Sequence, residues 1–397
     1  MSMPETDIER FREHVPAAKH RAYFETASTG LVPDFVYEAV KTYQDARYFE
    51  GGDSVWRFGS ELVGTQEMLR RSAESVGRML GTSGENIFFG LDTSQVYSVF
   101  SSGLRFAPGD NVILPENGWM ANRFAWQMRE REGLELRYVK PRCGGIQPED
   151  VAAACDGRTR AVCLTLVESA TGFMLDAAGI GRVCREKGVW FAVDATQAGG
   201  VMPVDVEATG IDFLAANDYK WMMNFCGTGY GYVSPALRGQ LEQRCAGWMS
   251  DSDRADTSKR VLTLRSDAGR YEFGYPNVSG IYGLGLVAKQ YTALGGENIK
   301  AYIFALIDRL LEAVDGIPGV ELAAVADEKN RSAIVPLRIG PQKALSQEVL
   351  SRAGVAASLT SSGDGTQLMR ISVHYYNNIE DIDRLADIFK MGGNTNV

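Results

Sequence analysis

The chain has 397 residues, of which 45% are hydrophobic and 23% are charged, a composition typical of a folded globular protein rather than a disordered or fibrous one. Its length predicts two or three domains that need no disulfide or metal to stabilise them. Forty-one basic and fifty acidic residues give a net charge of −9, which disfavours a broad phosphate-binding surface, so we expect no nucleic-acid partner.

The N-terminal segment is charged, and no apolar run is long enough to cross a bilayer, so we expect no membrane partner and a cytoplasmic location. The three histidines do not have the spacing of metal ligands, so we expect no metal site. The cysteines show no C-x-x-C pattern, and we interpret them as reduced core thiols. They are Cys143, Cys155, Cys163, Cys184, Cys226 and Cys245.

Short apolar runs alternate with helical patterns in the first two thirds of the chain. The runs that predict strands are residues 86–90, 111–115, 134–139, 161–167, 189–194, 212–217 and 227–234. The patterns that predict helices include residues 93–104, 121–132 and 177–188. Because the strand runs are almost continuously hydrophobic, we expect a mostly parallel sheet covered on both faces, in an α/β doubly wound domain.

The pattern changes near residue 281. Two long amphipathic helices are predicted at 282–294 and 297–314, followed by strands at 332–339 and 368–373 and a final helix after Asn378. This part predicts a smaller α+β domain. We therefore expect a large domain over residues 18–280 and a small domain over 281–397, with an N-terminal arm, residues 1–17, packed near the small domain.

Polar residues that follow strands in an open α/β sheet are the candidates for ligand binding. Asp194 ends one predicted strand, Lys220 follows the next, and Thr93 and Ser94 open a helix after an earlier strand. Arg370 lies within an apolar strand, where a guanidinium is suited to gripping a carboxylate. Taken singly, each has an ordinary structural explanation, such as a turn residue, a surface lysine, a helix cap or an ion-pair partner. Together they provide what pyridoxal 5′-phosphate needs in order to act on an amino acid.

The segment 189–233 resembles the cofactor region of the class V aminotransferase family of fold type I. The shared pattern is Asp194-x-x-Gln197, followed by Lys220-Trp221 and then by Gly-Thr-Gly at 227–229. The resemblance extends from near residue 23 almost to the end of the chain. It implies a large, mostly parallel seven-stranded sheet domain with a smaller α+β C-terminal domain, a homodimer, and a family that includes cysteine desulfurases, selenocysteine lyases, isopenicillin N epimerases and kynureninases.

The resemblance also implies a role for each matching residue. Lys220 would form the aldimine with the cofactor and move the Cα proton, Asp194 would keep the pyridinium nitrogen protonated, and Arg370 would bind the α-carboxylate of the substrate. The other implied cofactor contacts are Gln197 at the ring hydroxyl, Thr93, Ser94, Asn217 and Tyr219 near the phosphate, and Tyr275 reaching the phosphate across a dimer interface.

Three departures from the family pattern bear on the reaction. Trp119 stands where desulfurases carry a histidine, so it can stack on the cofactor ring but cannot transfer protons. Ser169 stands where relatives often have an asparagine near the ring and substrate. No cysteine lies between Val349 and Arg370, where desulfurases carry their nucleophile, and Cys226 lies in an apolar segment. We therefore do not expect a persulfide on this enzyme.

These features predict an enzyme acting on a small L-amino acid. The first hypothesis is β-elimination by a carbon–sulfur lyase on cysteine or an S-substituted cysteine, giving pyruvate and ammonia. An aminotransferase is the alternative, favoured by Trp119, and epimerisation or decarboxylation linked to deamination stays open. A nicotinamide-dependent oxidoreductase is disfavoured because the glycines at 227–231 open a strand rather than a helix. A non-catalytic binding protein is disfavoured by the joint presence of Lys220, Asp194 and Arg370.

Overall fold

The computed structural model describes residues 6–51, 55–58, 61–142, 144–256, 258–323 and 327–391. Its larger sheet contains seven strands in the order β4-β10-β9-β8-β7-β5-β6. These strands are β4 (Ile87–Gly90), β5 (Asn111–Pro115), β6 (Glu135–Val139), β7 (Thr159–Thr165), β8 (Trp190–Asp194), β9 (Phe213–Asn217) and β10 (Gly229–Val233). Strand β10 runs antiparallel to its neighbours β4 and β9, and all other pairs in this sheet are parallel. The predicted fold class and all seven predicted strands are therefore confirmed.

Both faces of this sheet are covered. Along β8, Phe191 and Val193 pack into one hydrophobic cluster, whereas Ala192 between them packs into a second cluster on the opposite face. The side chains of a strand alternate between faces, so a strand buried on both faces appears in the sequence as a continuous apolar run. The helices that connect these strands are α3 (Thr93–Gly103), α4 (Met120–Glu130), α5 (Pro148–Ala154), α6 (Ala177–Lys187) and α7 (Val206–Thr209), and α8 (Pro235–Arg238) follows β10.

A second sheet contains five strands in the order β1-β13-β14-β12-β11. Its strands are β1 (Ala22–Phe24), β11 (Val320–Leu322), β12 (Ile334–Ile339), β13 (Val355–Ser361) and β14 (Gln367–Ser372). The C-terminal helices are α9 (Val278–Leu294), α10 (Gly296–Val314), α11 (Gln347–Arg352) and α12 (Ile379–Met391). The N-terminal part contributes α1 (Asp34–Asp45), α2 (Thr65–Met79) and the hairpin of β2 (Val55–Phe58) and β3 (Glu61–Gly64).

The N-terminal segment packs against the C-terminal part of the chain. Strand β1 pairs in parallel with β13, a long-range pairing that the sequence patterns do not predict. The guanidinium of Arg12 donates to the carboxylate of Asp381 on α12 at 2.7 Å and to the carbonyl of Tyr376 at 2.8 Å. The domain boundaries at 17, 18, 280 and 281 stay predictions, and residues 1–5 and 392–397 of the predicted arm and small domain lie outside the described residues.

The expectation that every cysteine is a core thiol is wrong for two of them. Cys163 and Cys184 are buried and Cys155 is partly buried, but Cys226 and Cys245 are exposed. Both lie in connecting segments beyond strands or short helices, where a thiol has no sheet or helix to pack against. Cys143 lies outside the described residues. None of the described helices is both long enough and apolar enough to span a membrane.

Candidate active site

A cavity of about 410 Å³ lies at the carboxyl ends of three neighbouring parallel strands, β7, β8 and β9. These strands end at Thr165, Asp194 and Asn217, and all three side chains line the cavity. Ligands bind at this edge in open α/β sheets because loops from several strands converge there. Asp194 and Asn217 are predicted site residues, and the further predicted site residues that line the cavity are Thr93, Ser94, Trp119, Ser169, Gln197, Tyr219, Lys220 and Arg370.

Lys220 lies three residues beyond the end of β9 and faces the cavity. Burial lowers the pKa of its ammonium, the charge of Arg370 lowers it further, and the charge of Asp194 acts in the opposite direction. A lysine in this environment is neutral more often than a surface lysine, and a neutral amine is the form that attacks an aldehyde.

Asp194 is almost fully buried and is held from two sides. One carboxylate oxygen, Oδ2, accepts a hydrogen bond from Asn122 Nδ2 at 2.7 Å, and Oδ1 accepts one from the main-chain N–H of Thr196 at 2.8 Å. Asn122 lies in the first turn of α4, so a helix that follows β5 fixes the carboxylate at the end of β8. A fixed buried carboxylate is suited to binding a protonated ring nitrogen.

The amide of Gln197 is also held in one orientation. Its Oε1 accepts a hydrogen bond from Trp221 Nε1 at 2.7 Å, and its Nε2 donates to the carbonyl of Ala27 at 3.0 Å. An amide nitrogen carries two N–H groups, so one donor is left for a ligand. Behind Trp221 stacks the buried His374, whose pKa burial lowers to about 3, so this imidazole is neutral and does not serve as an acid at ordinary pH.

Helix α3 begins at the cavity. Asp92 caps it by accepting from the N–H of Gln95 at 2.8 Å, and the hydroxyls of Thr93 and Thr196 lie 2.8 Å apart. Ser94 and Tyr219 line the same end of the cavity. The free N–H groups of a helix N-terminus together with hydroxyl groups favour a phosphate.

Arg370 projects from β14 of the smaller sheet into the cavity. Its Nη2 donates to Ser28 Oγ at 2.6 Å and its Nη1 donates to the carbonyl of Ser169 at 3.3 Å. Burial lowers the pKa of this guanidinium, and the negative charges of Glu168 and Glu25 oppose that effect. The smaller sheet therefore supplies the cation, while the larger sheet supplies the lysine and the aspartate.

Of two aromatic residues predicted to contact the cofactor, the structure places one in this cavity and the other outside it. Trp119 is the N-cap of α4 and lines the cavity, with 59% of its surface exposed. Tyr275 does not line this cavity. It is 48% exposed and lines a separate cavity of about 200 Å³ next to Leu91 and Gln95. Its predicted contact across a dimer interface stays a prediction.

Several lining residues were not selected from the sequence, namely Ser28, Asn122, Thr165, Glu168 and Thr196. Thr165 ends β7 and Thr196 follows β8 by two residues, so the rule that selected Asp194 would also have selected them. Ser28 and Asn122 reach the cavity from other elements, and no local sequence signal marks them.

Some polar atoms in the cavity have no partner among the described residues. Thr165 Oγ1, Asn217 Oδ1 and Arg370 Nε are buried and form no hydrogen bond there. A buried polar atom without a partner costs about 1–3 kcal/mol, and the three residues that carry these atoms line the cavity.

Comparisons with known proteins agree with this arrangement. The family model described as aminotransferase class-V matches residues 22–385. The chain is 28% identical over 395 residues to a probable cysteine desulfurase from Methanothermobacter thermautotrophicus, with 96% of each chain covered. It is 26% identical over 401 residues to a cysteine desulfurase from Klebsiella pneumoniae, again with 96% of each chain covered.

Solved structures show the same fold. The apo cysteine desulfurase from Thermococcus onnurineus NA1 superposes with a TM-score of 0.83 at 21% identity, covering 98% of this chain and 99% of that chain. A complex of the cystine C–S lyase C-DES with its reaction product cysteine persulfide gives a TM-score of 0.82 at 18% identity, covering 96% of this chain and 100% of that chain. Because the family model spans nearly the whole sequence, the chain belongs to the class V aminotransferase family, and the resemblance seen in its sequence is confirmed.

Proposed function

We propose that this protein is a pyridoxal 5′-phosphate-dependent carbon–sulfur lyase that acts on L-cysteine or an S-substituted L-cysteine. The observation that carries the proposal is the single cavity in which Lys220, Asp194 and Arg370 come together. The names of the relatives support the substrate class, because they are described as cysteine desulfurases, and a neighbouring structure is a cystine C–S lyase.

The residues of the cavity fit this cofactor. Its volume lies in the range of roughly 300–1,000 Å³ that small-molecule sites occupy. Asp194 would hold the ring nitrogen and Gln197 would donate its remaining N–H to the ring oxygen. Thr93, Ser94 and the N-terminus of α3 would hold the phosphate, and the unpartnered Asn217 Oδ1 lies at the same cavity.

The chain's own groups supply binding and proton transfer. When bound, pyridoxal 5′-phosphate supplies an aldehyde that condenses with amines and a ring that withdraws electrons from Cα. Lys220 would hold the cofactor and, as a partly buried amine of lowered pKa, take the proton from Cα. Arg370 would fix the α-carboxylate through two N–H groups and so orient the Cα–H bond.

The fate of the sulfur follows from where cysteines are placed. Strands β13 and β14 are joined by a short hairpin, residues 362–366, that contains no cysteine. Cys226 is exposed and does not line the cavity. Among the described residues the cavity therefore offers no thiol to accept sulfur, which favours elimination. The Cα proton is lost, the Cβ–S bond breaks to release a thiol, and water hydrolyses the remaining three-carbon fragment to pyruvate and ammonia.

A class V aminotransferase is the second candidate. Trp119 lines the cavity at the position where the resemblance places the histidine of desulfurases, and this departure from the desulfurase pattern favours the aminotransferase. The two candidates need the same Lys220, Asp194 and Arg370, so the products have to distinguish them.

Spectroscopy and product analysis test the proposal together. We expect the purified protein to absorb as a lysine-bound cofactor, borohydride to fix the label on Lys220, and L-cysteine conjugates to yield pyruvate and thiol in equal amounts. Lys220→Ala should abolish these signals, while Lys187→Ala at the end of α6 should not. A colourless protein unaffected by Lys220→Ala would refute the cofactor, and accumulation of the pyridoxamine form without pyruvate would favour the aminotransferase.

We also propose that the protein is a homodimer in which Tyr275 approaches the partner's site. In support, this exposed tyrosine lines a cavity next to Leu91 and Gln95, which flank the phosphate-side residues Thr93 and Ser94. Sedimentation velocity tests the dimer, and a monomer at micromolar concentration would contradict it. The cytoplasmic location and the domain boundaries stay proposals as well.

A further inference from the structure

The cavity contains a carboxylate that the proposed chemistry does not use. Asp194 is committed to Asn122 and Thr196, and Asp92 caps α3. Glu168, which lies between β7 and α6, also lines the cavity. Its carboxylate is therefore a charge that needs an explanation at the site where an amino acid would bind.

The position of this carboxylate is fixed. Glu168 Oε2 accepts hydrogen bonds from the main-chain N–H groups of Ala170 and Thr171 at 2.7 and 2.8 Å. The main chain of Glu168 donates to the carbonyl of Phe173 and accepts from the N–H of Gly172, both at 2.9 Å. The side chain thus closes the turn that it belongs to, and it cannot leave the cavity without breaking these bonds.

The turn itself is locked against the smaller sheet. Gly172 has a φ of +69°, and a Cβ there would lie 2.1 Å from the carbonyl oxygen of Ile334 on β12, so only glycine fits. Ser332 Oγ donates to the carbonyl of Gly172 at 2.7 Å. The carboxylate is therefore held by a rigid turn rather than by a mobile loop.

One oxygen of Glu168 is available. None of the described residues donates a hydrogen bond to Oε1, and no described lysine or arginine forms an ion pair with this carboxylate. Arg370 is close enough to feel the charge, since Glu168 opposes the burial effect on the pKa of that guanidinium. The nitrogen atoms of Arg370 point instead to Ser28 and to the carbonyl of Ser169.

We propose that Glu168 selects the substrate by the charge of its side chain, favouring an S-substituent that carries an ammonium group and rejecting one that carries a carboxylate. This inference rests on the proposed function. With its α-carboxylate on Arg370, an S-substituted cysteine would lie in the cavity that Glu168 lines. A carboxylate that forms no ion pair acts on other charges over a few ångströms in a partly buried site, where screening by water is weak.

Three matched substrates test the inference. S-(2-aminoethyl)-L-cysteine and S-(carboxymethyl)-L-cysteine are similar in size and opposite in charge, and S-ethyl-L-cysteine is the neutral reference. We expect kcat/KM of the holoenzyme to favour the aminoethyl over the carboxymethyl conjugate by at least about tenfold, which corresponds to about 1.4 kcal/mol. In Glu168→Gln, whose amide oxygen can still accept from the turn, this ratio should fall to within about twofold of unity.

The control variant is Glu25→Gln. Glu25 also acts on the charge of Arg370 but does not line the cavity, so its removal should leave the substrate ratio within about twofold of the wild-type value. Binding of L-ornithine and L-glutamate, measured by the change in cofactor absorbance, provides a readout that does not depend on turnover. We expect L-ornithine to bind more tightly than L-glutamate to wild type but not to Glu168→Gln.

Three outcomes would overturn the inference. The first is an absence of charge preference in the wild-type enzyme, which needs no variant to fold. The second is an equal change for all three conjugates in Glu168→Gln, which would mean that Glu168 acts on the α-carboxylate through Arg370. The third is a change in the substrate ratio in Glu25→Gln that is as large as the change in Glu168→Gln. If the enzyme turns over none of the conjugates, the proposed function fails, and the two binding constants still decide the role of Glu168.

Discussion

Lys220 and Arg370 place two cations in one partly buried cavity, and their mutual repulsion has chemical consequences. The charge of Arg370 lowers the pKa of Lys220, in addition to the larger effect of burial, and Asp194 limits the shift. The residue that we propose to bind the substrate carboxylate therefore also helps to keep the lysine amine neutral. A carboxylate bound to Arg370 would neutralise the charge of the guanidinium, so Arg370 would no longer lower the pKa of Lys220.

Arg370→Gln tests this coupling. We expect the apoenzyme variant to capture pyridoxal 5′-phosphate only at higher pH than wild type, because removing the neighbouring cation raises the pKa of Lys220. We also expect KM for S-ethyl-L-cysteine to rise about tenfold to 100-fold, since hydrogen bonds to charged groups contribute about 1.5–3 kcal/mol. Arg370→Lys is the control, because it keeps the positive charge and should leave the pH midpoint of capture unchanged. An unchanged midpoint in Arg370→Gln would show that the two cations are not coupled.

At the scale of elements, the segment after β1 connects the two sheets. Strand β1 belongs to the five-stranded sheet, and the residues that follow it reach the cavity at the carboxyl ends of the larger sheet's strands. The carbonyl of Ala27 accepts from Gln197, and Ser28 accepts from Arg370. The N–H of Gly30 donates to the carbonyl of Tyr219 at 2.9 Å, next to Lys220. This short segment therefore positions three of the predicted site residues.

Gly30→Ala should disturb the lysine without touching its side chain. A Cβ at position 30 would lie 1.9 Å from the carbonyl oxygen of Lys220, so one of the two segments has to move. Overpacking of this kind costs about 1–3 kcal/mol, and we expect weaker cofactor retention together with a lower unfolding free energy in urea. Gly157→Ala is the control, because nothing lies within 4 Å of its Cβ position. A Gly30→Ala variant with wild-type stability and cofactor content would contradict this account of the contact.

At the scale of the whole molecule, two buried groups make stability depend on pH in opposite directions. Burial raises the pKa of Glu272 to about 7, and its side chain is 11% exposed, with Arg265 Nη1 3.8 Å away. Burial lowers the pKa of His374 to about 3. Between pH 4.5 and 6.5, the folded state keeps a proton on Glu272 that the unfolded state loses, and it lacks a proton on His374 that the unfolded state binds. The two contributions to the pH dependence of the unfolding free energy therefore partly cancel in this range.

Glu272→Gln separates the two contributions. Because the pKa of Glu272 is higher in the folded than in the unfolded state, stability falls as pH rises from about 4.5 to about 7. The variant lacks this titration, so its unfolding free energy relative to wild type should rise over that window by up to about 3 kcal/mol and stay level above it. Urea unfolding at pH 4.5, 6 and 8 measures the difference. The exposed Glu321→Gln should show no such trend, and a constant difference for Glu272→Gln would disprove the assignment.

The sequence determined the elements of the large sheet and the chemistry at their ends. Runs such as 189–194 are apolar because strands covered on both faces bury every side chain, so these runs could be predicted locally to be strands of such a sheet. Polar residues at the ends of these runs or shortly after them, such as Asp194 and Lys220, could therefore be selected from the sequence. Arg370 was selected in the same way, as a charged residue within an apolar strand, and the family resemblance joined it to Lys220 although the two lie 150 residues apart in the sequence.

The tertiary structure decided which distant groups complete the cavity. Asn122 fixes Asp194 from α4, Ser28 reaches Arg370 from the segment after β1, and Glu168 enters the site through a turn locked against β12. The pairing of β1 with β13 was likewise not predicted, because a three-residue strand has almost no local signal. Such contacts depend on how layers pack rather than on periodicity along the chain, and the same packing fixes the burial that shifts the pKa values of Lys220 and Glu272.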